Sequence, residues 1–234
     1  MKLNLQKISA LILMVAVVAL LASAGYKFYR VKRDTYQAGL PPQAVLEEIK
    51  PKHVPYNTIK PPAITPTDAF IFGSPTSTAG VIFFGDYANP KSNKLFKELE
   101  PKLRAYRGIR LVWRDLPSST EDRNPSFEAA VLSECSRFLD PFWKMRYLLG
   151  SFTSTALDNW SIDSILSQLS NSEMQGLETC RRDQSVRNTL RQAIAISKGD
   201  GIDTAPFLFV VSQAISAQDA SGTRVFDALR PYIK

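Results

Sequence analysis

A turn from a strand into a helix is the place in this sequence where side chains could carry out chemistry. Residues 81–84 form a continuous apolar run, which indicates a strand buried on both faces. After four further residues, Asn89 and Ser92 enclose a Pro-Lys pair at the predicted start of a helix. Two cysteines at this spacing would support thiol–disulfide exchange, but an amide and an ordinary serine hydroxyl cannot form the mixed disulfide of that reaction. The turn therefore lacks thiol chemistry.

Two interpretations of this turn remain open. In the first, Asn89 caps the helix by accepting a backbone hydrogen bond, and Pro90 stands at the first helical position, where proline is tolerated. Asn124, which also precedes a proline, repeats this device where no chemistry is expected. In the second, Lys91 or Ser92 contacts a small ligand or an anion at the helix terminus. We favour the cap.

Composition excludes several other kinds of chemistry. The only histidine of the 234 residues, His53, lies in a proline-rich stretch, which excludes a Ser-His-Asp triad or a histidine metal cluster inside the domain. The net charge of +7 comes from scattered basic residues without a nucleic-acid-binding motif, so nucleic acid is not an expected partner. There is no phosphate-binding glycine loop and no metal-ligand spacing, and we expect no cofactor and no metal.

An almost unbroken apolar run, residues 8–25, follows a short N-terminal tail, residues 1–7. One interpretation is an uncleaved transmembrane anchor, since about 20 apolar residues cross the hydrocarbon core and tyrosines with basic residues follow as an interfacial belt. The other is a signal peptide, because the Ala-Ser-Ala sequence ending at Ala24 fits the small-x-small cleavage pattern. We favour the anchor.

The elements that must position the turn follow a proline-rich linker. Residues 26–66 contain seven prolines, which favour extended, semi-rigid segments. Residues 67–234 form one domain in which strand and helix patterns alternate in the order β-β-α-β, a helical insert at about 120–180, and α-β-β-α. This order predicts an α/β sheet with helices on its faces.

Several landmarks of the domain occur in a characteristic order. They are Asp86-Tyr87 before the turn, Trp-Arg-Asp-Leu-Pro at 113–117, Cys135, Cys180, and Gly-Ile-Asp-Thr-Ala-Pro-Phe at 201–207. Together they resemble the DsbA-like branch of the thioredoxin superfamily, which carries thiol–disulfide oxidoreductases. The resemblance covers residues 67–234 and implies a thioredoxin-like fold interrupted by an inserted helical subdomain.

The resemblance also assigns roles to individual positions. The two redox cysteines of the family would stand at Asn89 and Ser92, with Pro90-Lys91 between them and Asp86-Tyr87 just before. Pro206 would be the cis-proline that faces the motif and binds the substrate backbone, in a loop with Thr204 and Ala205. The resemblance thus implies that the Cys-x-x-Cys motif is replaced by Asn-Pro-Lys-Ser, so the pocket would persist without its reactive sulfur.

The two cysteines of the chain stand at positions where many relatives of this kind carry a second, non-catalytic disulfide. A Cys135–Cys180 bridge is therefore expected, and an even cysteine count in an exported domain agrees with it. The alternative is two buried free thiols that pack as small hydrophobes.

Charges around the apolar run conflict with export. Lys2 and Lys7 precede the run, whereas four basic residues follow it: Lys27, Arg30, Lys32 and Arg33. The positive-inside rule would thus keep the C-terminal domain in the cytoplasm. Because of the cysteines we nevertheless expect a single-pass protein of the cell membrane with an extracytoplasmic domain, or a secreted or periplasmic one if it is cleaved after Ala24.

Three functions follow from the resemblance. The first is a membrane-tethered module that binds an exported polypeptide or a membrane or envelope partner protein without catalysis. The second is an enzyme similar to kappa-class glutathione transferases and related isomerases, which use a serine near the same helix start. The third is residual thiol–disulfide oxidoreductase activity of Cys135 and Cys180, against which their expected burial argues.

Overall fold

A five-stranded mixed sheet forms the centre of the domain. The structure is a computed structural model that describes residues 58–65, 68–73, 77, 79–137, 142–151 and 159–233. The central pair, β2 and β3, is parallel, and the other neighbours are antiparallel, in the order β1-β3-β2-β4-β5. The strands are β1 (Ala69–Phe72), β2 (Ala79–Gly85), β3 (Ile109–Asp115), β4 (Phe207–Val210) and β5 (Gln213–Ile215).

Seven α-helices connect and cover the described strands. Helix α1 joins the two parallel strands, α2 to α6 lie between β3 and β4 in sequence, and α7 follows β5. Their bounds are α1 (Pro90–Arg104), α2 (Pro125–Ser136), α3 (Phe142–Gly150), α4 (Asn159–Leu166), α5 (Asn171–Arg181), α6 (Gln184–Gly199) and α7 (Gly222–Leu229). The predicted α/β order is confirmed, and a short 3-10 turn, Arg230–Tyr232, follows α7.

Helix α1 presents an apolar stripe to the sheet. Leu95, Leu99 and Leu103 repeat at every fourth residue and are all buried, so the helix lies with this face against the strands. The sequence predicts a helix to about residue 107, but α1 ends at Arg104, and Gly108 takes a φ of +83° in the turn to β3. Glycine adopts this left-handed conformation without a steric penalty.

The helical insert is built around α2. Eleven of its residues, 126–136, are buried, so α2 lacks the polar face of a surface helix and forms the interior of the insert. Glu128, 3% exposed, is paired with Arg181 at 2.9 Å and with Arg187, which join α2 to α5 and α6. Because a buried carboxylate needs charged partners, these ion pairs fix the helices around α2.

The last part of the predicted linker packs on the domain. Ile59 is buried, and Arg114 Nη2 donates to the carbonyl of Ala63 at 2.6 Å. Arg114 also pairs with Asp68 at 2.9 Å. The packed part of the chain therefore extends N-terminal of residue 67, to residues 58–65. The predicted apolar segment, residues 8–25, lies outside the described residues, and among those described no helix is long and apolar enough to cross a membrane.

Candidate functional site

Asn89 joins the start of α1 to the loop before β4. Its Oδ1 accepts hydrogen bonds from the backbone N–H groups of Lys91 at 2.9 Å and Ser92 at 3.3 Å. Its Nδ2 donates to the carbonyl of Ala205 at 3.0 Å. The side chain thus caps the helix and also bridges two loops that are 116 residues apart in sequence.

The loop before β4 contains a cis peptide bond between Ala205 and Pro206. Because β4 pairs directly with β2, this loop lies beside the turn that leads from β2 into α1. Thr204 is exposed, whereas Ala205 and Pro206 are buried. The structure therefore brings the predicted cis-proline loop and the predicted motif position together.

Lys91 and Ser92 are engaged within the protein. Ser92 is fully buried, and its hydroxyl accepts a hydrogen bond from the backbone N–H of Asp86 at 3.4 Å. The ammonium group of Lys91 donates to the carbonyl of Ala217. Both contacts favour the capped-helix interpretation over a ligand contact. A buried Ser92 also argues against an enzyme that presents this serine to glutathione.

Asp86 anchors the turn to the insert. Its carboxylate, 4% exposed, accepts hydrogen bonds from Ala88 N at 2.8 Å, Ser126 Oγ at 2.8 Å and Ser118 N at 3.1 Å. Three donors compensate for the desolvation of a buried carboxylate. The turn that precedes α1 is thereby held against the start of α2.

Tyr87 is buried beneath the insert. Its ring lies 4.8 Å from that of Trp113, and its hydroxyl accepts a hydrogen bond from Arg146 Nη1 at 2.8 Å and lies 3.3 Å from Ser133 Oγ. Burial raises the pKa of Tyr87 to about 12, so the phenol is neutral at physiological pH. A Cβ atom on Gly85 would stand 2.1 Å from Trp113, which explains the glycine at the end of β2.

Two charged groups near Tyr87 were not predicted as site residues. Burial raises the pKa of Asp115 to about 7, although its carboxylate accepts a hydrogen bond from Trp113 Nε1 at 2.9 Å. Arg146 is only 7% exposed and lies between α1 and β3. Asp115 stands in the sequence landmark at 113–117 but was not assigned a role there, and local sequence carries no signal for Arg146, because α3 must first fold back on the sheet.

The two cysteines form a disulfide between α2 and α5. The Cα atoms of Cys135 and Cys180 are 5.8 Å apart, and the side chains are 0% and 5% exposed. The predicted pairing is confirmed, and the alternative of two free thiols is wrong. Within the described part of the chain, no group of three or more His, Cys, Asp or Glu residues could hold a metal ion.

Comparison with known proteins gives the class of the fold. No protein-family model matches the chain, and no match was found among curated proteins. Solved structures do match. A thioredoxin-like oxidoreductase from Silicibacter pomeroyi superimposes with a TM-score of 0.60 at 18% identity, covering 71% of this chain and 92% of the other.

Two further structures are similar. Oxidised BdbD from Bacillus subtilis gives a TM-score of 0.58 at 15% identity, over 70% of this chain and 91% of the other. The catalytic domain of Proteus mirabilis ScsC gives 0.55 at 17% identity, over 70% of this chain and 88% of the other. At these identities the likeness shows the fold: a mixed α/β, thioredoxin-like fold of the kind found in DsbA-like and ScsC-like oxidoreductases.

Proposed function

We propose that this chain is a DsbA-like thioredoxin-fold protein that has lost its redox-active cysteine pair and works as a non-catalytic binding module. The observation that carries the proposal is the position of Asn89. Its amide caps α1 and donates to Ala205 beside the cis Pro206, where the resemblance expects a redox cysteine. An amide at this point can fix the loops but cannot exchange disulfides.

The cysteines that do occur support the same proposal. Cys135 and Cys180 are bonded to each other and buried between α2 and α5. Thiol–disulfide exchange requires an accessible thiolate, which neither position offers. A structural role for this disulfide is therefore favoured over residual redox activity.

We further propose that the partner is an exported polypeptide or an envelope protein that binds beside Pro206. Thr204 is exposed next to the cis bond, so an extended chain could approach the backbone there. A suitable probe is a fluorescent, permanently unfolded protein whose cysteines are reduced and alkylated. Its binding to the full-length chain is measured by fluorescence anisotropy.

Two exposed positions at opposite ends of β4 provide a matched pair of variants. Thr204→Glu introduces a carboxylate that a bound chain would desolvate, and we expect it to weaken probe binding by about tenfold. Ser212→Glu carries the same change beyond the far end of the strand and should leave binding unchanged. Equal effects of the two variants, or no binding by the unaltered chain, would contradict this binding site.

Membrane tethering by residues 8–25 is the remaining part of the proposal. Its support is the length and apolarity of that run. We expect the full-length chain to stay with membranes at alkaline pH, and a C-terminal reporter fusion to be active outside the cytoplasm. If the chain is cleaved near Ala24 and released from membranes, residues 8–25 are a signal peptide and not an anchor. If the reporter is active only in the cytoplasm, the domain is not exported.

A further inference from the structure

A cavity of about 470 Å³ lies between α1, α3 and the end of β3. Aromatic rings of Tyr87, Phe96 and Trp113 form much of its wall, and Tyr147, which is 77% exposed, also lines it. Among the described residues that line the cavity, none belongs to the cap at Asn89 or to the cis-proline loop. Concave sites of this size with aromatic walls and few polar groups are typical of small-ligand sites.

Arg146 is the buried charge of this cavity. Its guanidinium carbon lies 4.0 Å from the ring centre of Phe96 and 4.2 Å from that of Trp113. Only Nη1 donates a hydrogen bond inside the described structure, to the hydroxyl of Tyr87. Carboxylates of Asp115 and Glu100 act on Arg146 electrostatically, but no described carboxylate forms an ion pair with it within 4.0 Å.

Arg146 has N–H donors that no described residue uses. A guanidinium carries five N–H donors, and a buried charge without a hydrogen-bonded counterion costs free energy. The aromatic rings compensate for part of this cost through cation–π contacts. The remaining donors match the two oxygens of a carboxylate, which guanidinium groups bind in a bidentate manner.

The other charged residues of the cavity also favour an anion. Among the described residues that line it, Lys97 and Arg104 of α1 stand with Arg146 against a single carboxylate, that of Glu100. Glu100 is already engaged, because it accepts a hydrogen bond from Arg104 Nε at 2.9 Å. The cavity therefore combines apolar walls with an excess of positive charge.

We propose that this cavity binds a small amphipathic monocarboxylate, with its apolar body against the aromatic wall and its carboxylate on Arg146. An apolar cavity of about 150 Å³ holds one benzene molecule, so the volume of about 470 Å³ here corresponds to a ligand of about 19 non-hydrogen atoms. The ligand is either a free organic acid or the C-terminal carboxylate of a short apolar peptide, since both offer the same chemistry. This site does not depend on the function proposed for the Asn89 turn.

Calorimetry on the full-length chain in lipid nanodiscs tests the proposal, with empty nanodiscs as the blank. The probes are 4-phenylbutyrate, its alcohol 4-phenylbutan-1-ol, and an apolar hexapeptide with either a free or an amidated C-terminus. We expect the carboxylate to bind at least about tenfold more tightly than the alcohol, because the alcohol lacks the charge-assisted hydrogen bonds. Preference for the free-acid peptide over phenylbutyrate would identify a peptide terminus as the source of the carboxylate.

Variants at two lysines of α1 keep the test independent of folding. Lys97→Glu reverses a charge at the cavity and should weaken phenylbutyrate binding by about fivefold, whereas Lys94→Glu makes the same change at an exposed position outside it. Arg146→Met, provided that it unfolds cooperatively, should abolish the preference for the acid over the alcohol. Equal binding of acid and alcohol by the unaltered chain, no binding of either acid, or equal effects of the two lysine variants would overturn the proposal.

Discussion

At the scale of single residues, Asn89 joins the start of α1 to the loop before β4. Its oxygen accepts hydrogen bonds from two backbone N–H groups at the start of α1, and its nitrogen donates to the carbonyl of Ala205. Neither contact requires a titratable group, in contrast to a thiolate at a helix terminus. A contribution of both contacts to the free energy of folding is the role that we propose for this position.

Substitution of Asn89 tests this role. Asn89→Ala removes the cap and the bond to Ala205, and we expect the free energy of unfolding to fall by about 2 kcal/mol. Asn89→Asp keeps the capping oxygen but loses the donor, so it should recover most of the loss. Urea denaturation followed by circular dichroism measures both variants. An Ala variant as stable as the unaltered chain would show that the amide is dispensable.

Asp115 makes stability depend on pH. Burial raises its pKa from an ordinary value of 3.8 to about 7, so between these values the folded chain holds a proton that the unfolded chain has lost. This group therefore lowers stability as the pH rises from about 4 to about 7. Asp115→Asn keeps an oxygen that accepts from Trp113 Nε1. The urea midpoint of this variant should depend less on pH between about 4 and about 7. If the urea midpoint of the variant depends on pH as steeply as that of the unaltered chain, the raised pKa of Asp115 is contradicted.

At the scale of secondary-structure elements, the insert depends on links between helices that are distant in sequence. The disulfide joins α2 to α5, and Glu128 adds ion pairs from α2 to α5 and α6. Neither α3 nor α4 shares in these links. We therefore attribute much of the stability of the insert to the contacts of α2.

Removal of the disulfide measures how much it contributes to the free energy of unfolding. Its cysteines are 45 residues apart, and closing a loop of this length stabilises a fold by about 4 kcal/mol in the chain-entropy treatment. We expect the Cys135→Ala/Cys180→Ala variant to unfold at a lower urea concentration than the unaltered chain, by a comparable free energy. Reductant should lower the midpoint of the unaltered chain but not that of the variant. Equal midpoints without reductant would contradict a stabilising role.

Elements with strong local patterns were predictable from the sequence, whereas contacts between elements were not. The apolar run at 81–84 predicts β2, and the Asn89-Pro90 pair predicts the start of α1. Both are predictable because apolar runs and caps are local signals. The prediction of one helical insert at about 120–180 does not separate α5, although Ser170 and Glu173 form a capping box at its start. Arg146 entered the site only through the packing of α3 on α1 and β3, which no local pattern encodes.

At the scale of the whole molecule, the domain has the thioredoxin-like fold of the solved oxidoreductases to which it is similar. The cis-proline loop stands beside the start of α1, as the resemblance implied. A separate cavity on the insert side carries a buried arginine. The two ligand sites that we propose lie at these two places, and neither requires a reactive sulfur.

The insulin-reduction assay of the unaltered chain beside its Asn89→Cys/Ser92→Cys variant tests the central claim most directly. We expect no turnover above a buffer control for the unaltered chain, because its two cysteines are bonded to each other and buried. The variant introduces a cysteine pair at the start of a helix that adjoins a cis-proline loop, and it should reduce insulin. Turnover by the unaltered chain, or none by a correctly folded variant, would contradict the account.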